Sequence, residues 1–332
     1  MGKTTETGKT FLPYFKASIL SHKIQKAAIA VMAAGVMSLT GCESGDMPVP
    51  EIPGGAPSLS DSISAAIHVR ATYAAKAGET VRLYKPTINI EKMFIGGKEV
   101  KPQAEYTFHE AGEYTVSYSL GARERTENIF LFCTALKEIS FSEGVKAISP
   151  YTCYGCSSLE SVKLPSSVTE IGIWAFAGCA SLTSIEIPKG VSAIPEYIFF
   201  DCRSLKTVEI PESIAEIGIY AFYNCTALDS VKLPAAVKNI GRCAFMGCKA
   251  LTSIVIPKGV GKIEKQTFAY CTSLASITCK AMTAPSLGGN VFYSVNPTGI
   301  LTVPTGATGY DEWMAEEDGK LGRYSWKIEI QK

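Results

Sequence analysis

Seven leucines, Leu136, Leu159, Leu182, Leu205, Leu228, Leu251 and Leu274, recur every 23 residues without insertion or deletion. A period in the twenties belongs to a unit too small to bury its own apolar face, which stacks on copies of itself until neighbours bury it. The chain is therefore expected to contain a solenoid. Its function is expected on repeated surfaces rather than in one cleft.

Other columns follow the same register. Val162, Ile185, Val208, Val231, Ile254 and Ile277 form one apolar ladder, and Leu164, Ile187, Ile210, Leu233 and Ile256 the next. With the leucines they make L-x-x-V/I-x-L/I, whose last three residues alternate as a half-buried strand does. Pro165, Pro188, Pro211, Pro234 and Pro257 follow at once, and a residue without an N–H belongs at a strand end. Each coil is thus expected to supply one short strand to a long parallel sheet. A second apolar stripe runs through Ile171, Ile194, Ile217, Ile240 and Ile263, and Phe176, Phe199, Phe222, Phe245 and Phe268 fill the coil interior. The A-F-x-G/N/D-C stretch around each Phe is expected to be a helical or 3₁₀ turn.

The segment S-L-T-S-I-E-I-P-K-G-V-S-A-I-P-E-Y-I-F-F-D-C-R (residues 181–203) resembles the 23-residue leucine-rich repeat of BspA-like surface proteins. Residues 158–179 and 204–225 match that pattern almost position for position. The first coil departs from it, with Ser142 in place of proline and Cys153 in place of phenylalanine, and the last copy loses register after Cys279. The expected fold is mainly β with short helical turns: a leucine-rich repeat solenoid of about six to seven coils preceded by a small immunoglobulin-like β-sandwich. The expected domains are a signal peptide (1–41), a flexible tether rich in Pro and Gly (42–59), the sandwich (60–131), the solenoid (132–283) and a C-terminal cap (284–332) in which Tyr310, Trp313, Tyr324 and Trp326 supply apolar bulk. In the sandwich, Gly96-Gly97 reads as a hairpin turn, and two alternating runs flank Ala111-Gly112 as a second hairpin. The G-E-Y-T-V-S-Y run (112–118) is similar to the closing strands of immunoglobulin-like modules, and residues 127–136 are expected to form a strand joining the sandwich to the first coil.

Lys16, Lys23 and Lys26 precede an apolar stretch, residues 27–39, of signal-peptide rather than membrane-spanning length. It ends in Leu39-Thr40-Gly41-Cys42, which resembles the lipobox of bacterial lipoproteins. That resemblance implies cleavage before Cys42 and acylation of its sulfur and new amine, and several acyl chains give a lasting anchor. Glu43 and Asp46 are similar to surface-export signals, which implies an outer membrane lipoprotein facing the cell exterior. An ordinary signal peptide with an incidental Cys is the alternative. Cleavage removes five lysines and one glutamate, taking the formal charge from +1 to −3. A weakly acidic chain argues against nucleic acid as a partner.

The chain has 11 cysteines, and Cys156, Cys179, Cys202, Cys225, Cys248 and Cys271 keep the 23-residue period. Such thiols occupy one inward site on consecutive coils, so a buried free-thiol ladder is expected, with adjacent-coil disulfides or a Cys153–Cys156 bridge as alternatives. No metal or cofactor is expected, since the mature chain keeps only His68 and His109 and the sequence has no nucleophile elbow, Walker loop or H-E-x-x-H. Glu186 and Glu209, one coil apart and flanked by Lys163 and Lys232, read as a solvated charge ladder rather than a catalytic pair.

Two sets of columns remain as candidate binding stripes. On the sheet, Ser161, Ser184, Thr207 and Ser230 alternate with the apolar ladder beside Lys163, Glu186, Glu209 and Lys232. On the turn, Tyr151, Trp174, Tyr197 and Tyr220 form an aromatic row that either anchors a ligand or shields neighbouring coils. The chain is expected to be a monomeric, non-enzymatic protein, touching the membrane only through its lipid, that binds an extracellular protein or glycan. BspA-like resemblance implies adhesion; glycan capture for nutrient uptake is the alternative.

Overall fold

The computed structural model describes residues 68–121 and 125–331. The signal peptide, Cys42, the tether and the first residues of the sandwich lie outside the described residues. No helix among those described is long and apolar enough to cross a membrane.

The N-terminal module is built from β1 (His68–Ala75), β2 (Glu79–Arg82), β3 (Lys92–Ile95), β4 (Lys98–Val100), β5 (Glu105–Phe108) and β6 (Gly112–Ser119). Strands β4, β3, β6 and β1 lie side by side in one antiparallel sheet, and β2 pairs with β5 in another. Alternation places Val69, Ala71, Tyr73 and Ala75 of β1 inside. The Tyr73 and Tyr118 hydroxyls, 2.8 Å apart, both donate to the Leu83 carbonyl just beyond β2, so buried polar groups tie the two layers together. The β3–β4 turn carries Gly96 at φ 55° and Gly97 at φ 82°. A side chain at Gly97 would force an L-residue into left-handed backbone, and Gly97→Ala is expected to lower the thermal stability of the chain by about 1 kcal/mol, read by thermal denaturation.

The runs flanking Ala111-Gly112 do not form a hairpin. β5 pairs with β2 and β6 with β1 and β3, so the chain crosses from one sheet to the other. Nor is the joining strand at 127–136: the segment is turn up to Leu136, where the strand begins. The junction is β7 (Leu136–Phe141), which pairs antiparallel with β1 on one edge and parallel with Ser161–Lys163 on the other. Module and solenoid therefore share one six-stranded sheet.

Beyond β7 every coil has the same three sides. The front strands are Ser161–Lys163, Ser184–Glu186, Thr207–Glu209, Ser253–Ile256, Ser276–Cys279, Thr298–Val303 and Ser325–Ile330. Their pairing is parallel, and it lapses between Ser161–Lys163 and Ser184–Glu186 and again at residues 230–232, where the coil keeps its place in the stack without a strand. Side-chain ladders hold the stack there, since Leu228, Val231 and Phe222 stay buried. Two-residue strands on the second side, such as Glu216–Ile217 and Asn239–Ile240, form another parallel sheet.

The third side is the turn, and it is not helical. Trp174, Phe176 and Gly178 donate their N–H groups to Glu196, Ile198 and Phe200 of the next coil, while Ala177 and Cys179 bond back three residues to Trp174 and Phe176. The residue before each Cys has left-handed backbone, as at Gly178 (φ 73°), Asp201 (59°) and Asn224 (56°), which explains the G/N/D preference. Among the described residues 3₁₀ helix is confined to Tyr310–Glu312 and Leu321–Arg323.

Coil geometry also extends past both expected boundaries. Upstream, Arg125 bridges to Ala147, Phe130 fills the Phe position and Cys133 falls in register with the Cys column. Downstream, the register shifts by one residue between Cys279 and Ser286, and parallel strands continue to Ile330, giving about eight turns. Trp313 closes this end, its ring 5.5 Å from Phe292 and its Nε1 donating to the Pro285 carbonyl at 2.9 Å.

Candidate functional site

The front face is the most regular exposed surface. Val162, Ile185, Val208 and Val231 point into the core, and the residues on either side of them point out: Ser161 and Lys163, Ser184 and Glu186, Thr207 and Glu209, Ser230 and Lys232 are all exposed. Ser184 lies in register with Thr207, and Glu186 with Glu209, about 5 Å from strand to strand. The ion pair that Lys232 makes is with Glu212 rather than Glu209, its Nζ 3.5 Å from Glu212 Oε1 on the following turn. Ser230 donates to Asp229 Oδ1 at 2.8 Å. The result is a low-relief sheet of hydroxyls and separated charges, able to accept and donate hydrogen bonds along a repeated axis.

The aromatic row differs from its expected form. Tyr151, Trp174, Tyr197 and Tyr220 all have left-handed backbone, φ 54° to 62°. Their rings stack along the solenoid, with centroids 6.4 Å apart for Tyr151–Trp174, 4.2 Å for Trp174–Tyr197 and 5.1 Å for Tyr197–Tyr220. Trp174 is only 2% exposed, so it is not part of an open row. A second aromatic column that the sequence reading missed, Tyr154, Phe200 and Tyr223, packs on the first, and Arg242 covers the Tyr220 ring at 5.5 Å. Burial, reinforced by Cys243, pushes the Tyr220 hydroxyl up to about 12. Ring faces that would stack on a sugar are spent on one another, and the Tyr151 hydroxyl is buried as well.

The cysteines form a ladder with a hydrogen-bonding role. Cys202, Cys225, Cys248 and Cys271 each donate S–H to the carbonyl of the Phe-column residue 26 positions earlier, at 3.1 to 3.2 Å, and Cys156 does the same to Phe130 at 3.0 Å. Burial holds the Cys179, Cys202, Cys225, Cys248 and Cys271 thiols above their usual range, which makes them poor nucleophiles. The ten described cysteines are buried free thiols.

Stacked parallel coils with leucine, Val/Ile, Phe and Cys ladders define a leucine-rich repeat solenoid. The sequence model of the BspA type leucine rich repeat region, in six copies, matches residues 123–252 and 192–313, more than half of the chain. The chain belongs to the BspA-type leucine-rich repeat family. Among solved structures it is similar to the T. pallidum leucine rich repeat protein TpLRR, with 33% identity over 48% of this chain and 81% of that one and a TM-score of 0.42. It is also similar to a leucine rich cell surface protein of Faecalibacterium prausnitzii A2-165, with 20% identity over 70% and 86% of the two chains and a TM-score of 0.36. The pneumococcal vaccine antigen PcpA gives 18% identity over 59% and 68% and a TM-score of 0.39. Comparison with curated proteins gave no match. A leucine-rich repeat solenoid is typically a non-catalytic binding scaffold.

Proposed function

We propose that this chain is a lipid-anchored, non-enzymatic surface protein of the bacterial outer membrane that recognises a macromolecule outside the cell through the front sheet, in adhesion to a matrix protein or another cell. The observation that carries this reading is the exposed front ladder, in which the outward residues flanking the apolar ladder, Ser161 and Lys163, Ser184 and Glu186, Thr207 and Glu209, and Ser230 and Lys232, are each a hydroxyl or a charge repeated from coil to coil. Mixed charges on such a surface set orientation and association rate more than raw affinity. The Leu39-Thr40-Gly41-Cys42 motif supports the anchor. Capture of a neutral glycan is the weaker reading, because stacking on sugars needs open ring faces and the Tyr151 to Tyr220 stack keeps its faces to itself.

Cys42→Ala is expected to abolish incorporation of labelled fatty acid and release the protein from the membrane fraction, while protease added to intact cells should digest the wild type. Protection from protease would exclude a surface role. For the front face, Glu186→Lys with Glu209→Lys should weaken binding to immobilised matrix proteins by roughly tenfold or more, mainly through a slower on-rate. Binding that ignores these changes would remove the front sheet as the recognition surface.

A further inference from the structure

Charge is distributed unevenly along the solenoid. From Leu136 to Asp229 the chain carries eleven carboxylates and six Lys or Arg, whereas from Ser230 to Ile300 it carries eight Lys or Arg and one carboxylate, Glu264. The reversal occurs at equivalent positions of the coil. On the second side, exposed Glu170, Glu196 and Glu216 of the earlier coils give way to exposed Arg242, Lys262 and Lys265 in the later ones. Lys238 flanks the same short strands, Lys258 lies on a turn that leads into them, and Lys280 directly follows the front strand Ser276–Cys279. Arg242 and Lys265 stand one coil apart, tied by the Cys243 N–H to the Lys265 carbonyl, and neighbouring coils are about 5 Å apart. Lys262 pairs with Glu264 at 2.9 Å, and among the described residues no other ion pair involves these six cations. A surface meant only to stay hydrated would mix its signs, as the front face does. Here like charges are gathered against mutual repulsion, at a cost that a bound anion would offset.

We propose that this second-side face, formed by Lys238, Arg242, Lys258, Lys262, Lys265 and Lys280, docks a linear anionic polysaccharide carrying sulfate or carboxylate groups. Three features select that partner. Three consecutive coils contribute the cations, Lys238 and Arg242, then Lys258, Lys262 and Lys265, then Lys280, with Arg242 and Lys265 at the same position of neighbouring coils, so positive charge follows the solenoid axis and suits a flexible chain with repeated charges better than a single anion. Arg242 covers the Tyr220 ring, so the aromatic row gives no base-stacking platform beside the cations of the kind single-stranded nucleic acid sites use. The face also lacks a row of apolar side chains for insertion into a lipid surface; exposed Met282 stands alone at its margin. The carboxylates of the preceding coils bound the site and would fix where along the solenoid the polyanion ends.

This surface is separate from the front sheet, so the two readings are tested independently. The probes are heparin, neutral dextran, a DNA duplex and anionic phosphatidylglycerol vesicles, titrated against the full chain at about 50 and about 200 mM salt. Heparin is expected to bind and to weaken steeply with salt, and dextran to show no binding. Lys238→Glu with Lys262→Glu and Lys265→Glu should weaken heparin binding by roughly a hundredfold. The equal charge change in the N-terminal module, Lys92→Glu with Lys98→Glu and Lys101→Glu, should leave it within about twofold, since distant exposed charges are screened. All these side chains are exposed, so circular dichroism should confirm that both variants fold. Absence of heparin binding at low salt, equal binding by the two triple variants, or DNA or vesicle binding as tight as heparin would each overturn the proposal.

Discussion

Phe222→Ala is expected to lower stability by about 3 to 5 kcal/mol. Phe222 is fully buried and stacks between Phe199, with centroids 5.5 Å apart, and Phe245, at 5.1 Å and an interplanar angle of 4°. The same spine continues through Phe268 to Phe292. A solenoid holds each coil only through its neighbours, so a hole in the middle weakens two interfaces at once. Chemical denaturation should therefore show a lower midpoint and a broadened or split transition, as the coils on each side of the gap begin to unfold separately. Phe292→Ala, near the end of the spine, should cost less and leave a single transition. Equal effects at both positions would mean that the coils unfold as one indivisible unit.

Alkaline pH is expected to unfold the protein between about pH 9 and pH 12, because of the thiol ladder. Burial pushes the Cys271 thiol up to about 12 and holds Cys179, Cys225 and Cys248 well above the ordinary value of 9.0. The native state then keeps protons that the unfolded chain releases, so stability is intact below about pH 9 and falls as pH rises toward the folded-state values. Three units at Cys271 correspond to on the order of 4 kcal/mol, and the other thiols add to it, against total stabilities of about 5 to 15 kcal/mol for ordinary domains. Tyr154 and Tyr220, each pushed by burial to about 12, act in the same direction from about pH 10 upward. Circular dichroism against pH in reducing buffer gives the midpoint. Removing one ladder thiol, Cys225→Ala, should reduce the slope of stability against pH by about one proton, roughly 1.4 kcal/mol per pH unit. A chain that keeps its folded spectrum at pH 12 would show that the ladder thiols are not sealed from solvent.

Much of this arrangement is legible from spacing alone, because a burial pattern repeated at 23 residues admits one way to stack. The Leu, Val/Ile, Phe and Cys columns all lie where their period puts them, inside the coil. Phe130 and Cys133 escape notice because the leucine and proline that mark other coils are missing ahead of them. At the C-terminal end Leu301-Thr302-Val303-Pro304 echoes the strand-plus-proline signature, but a single added residue between Cys279 and Ser286 conceals the register that parallel pairing restores. In the N-terminal module the alternation of β5 and β6 correctly marks one buried face on each. It carries no information on pairing, and the two strands bond to different partners.

The sequence by itself determined the solenoid, its inward ladders and the small, polar character of the front sheet, since these follow from which side chains water excludes at a fixed period. Tertiary structure alone decided that β1 joins the module to the first coil, because backbone pairing between distant segments leaves no periodic trace. It also decided the fate of the aromatic row. Periodicity places Tyr151, Trp174, Tyr197 and Tyr220 on the turn, but left-handed backbone there lays each ring along the stack, and contact between coils buries the faces that a ligand would need.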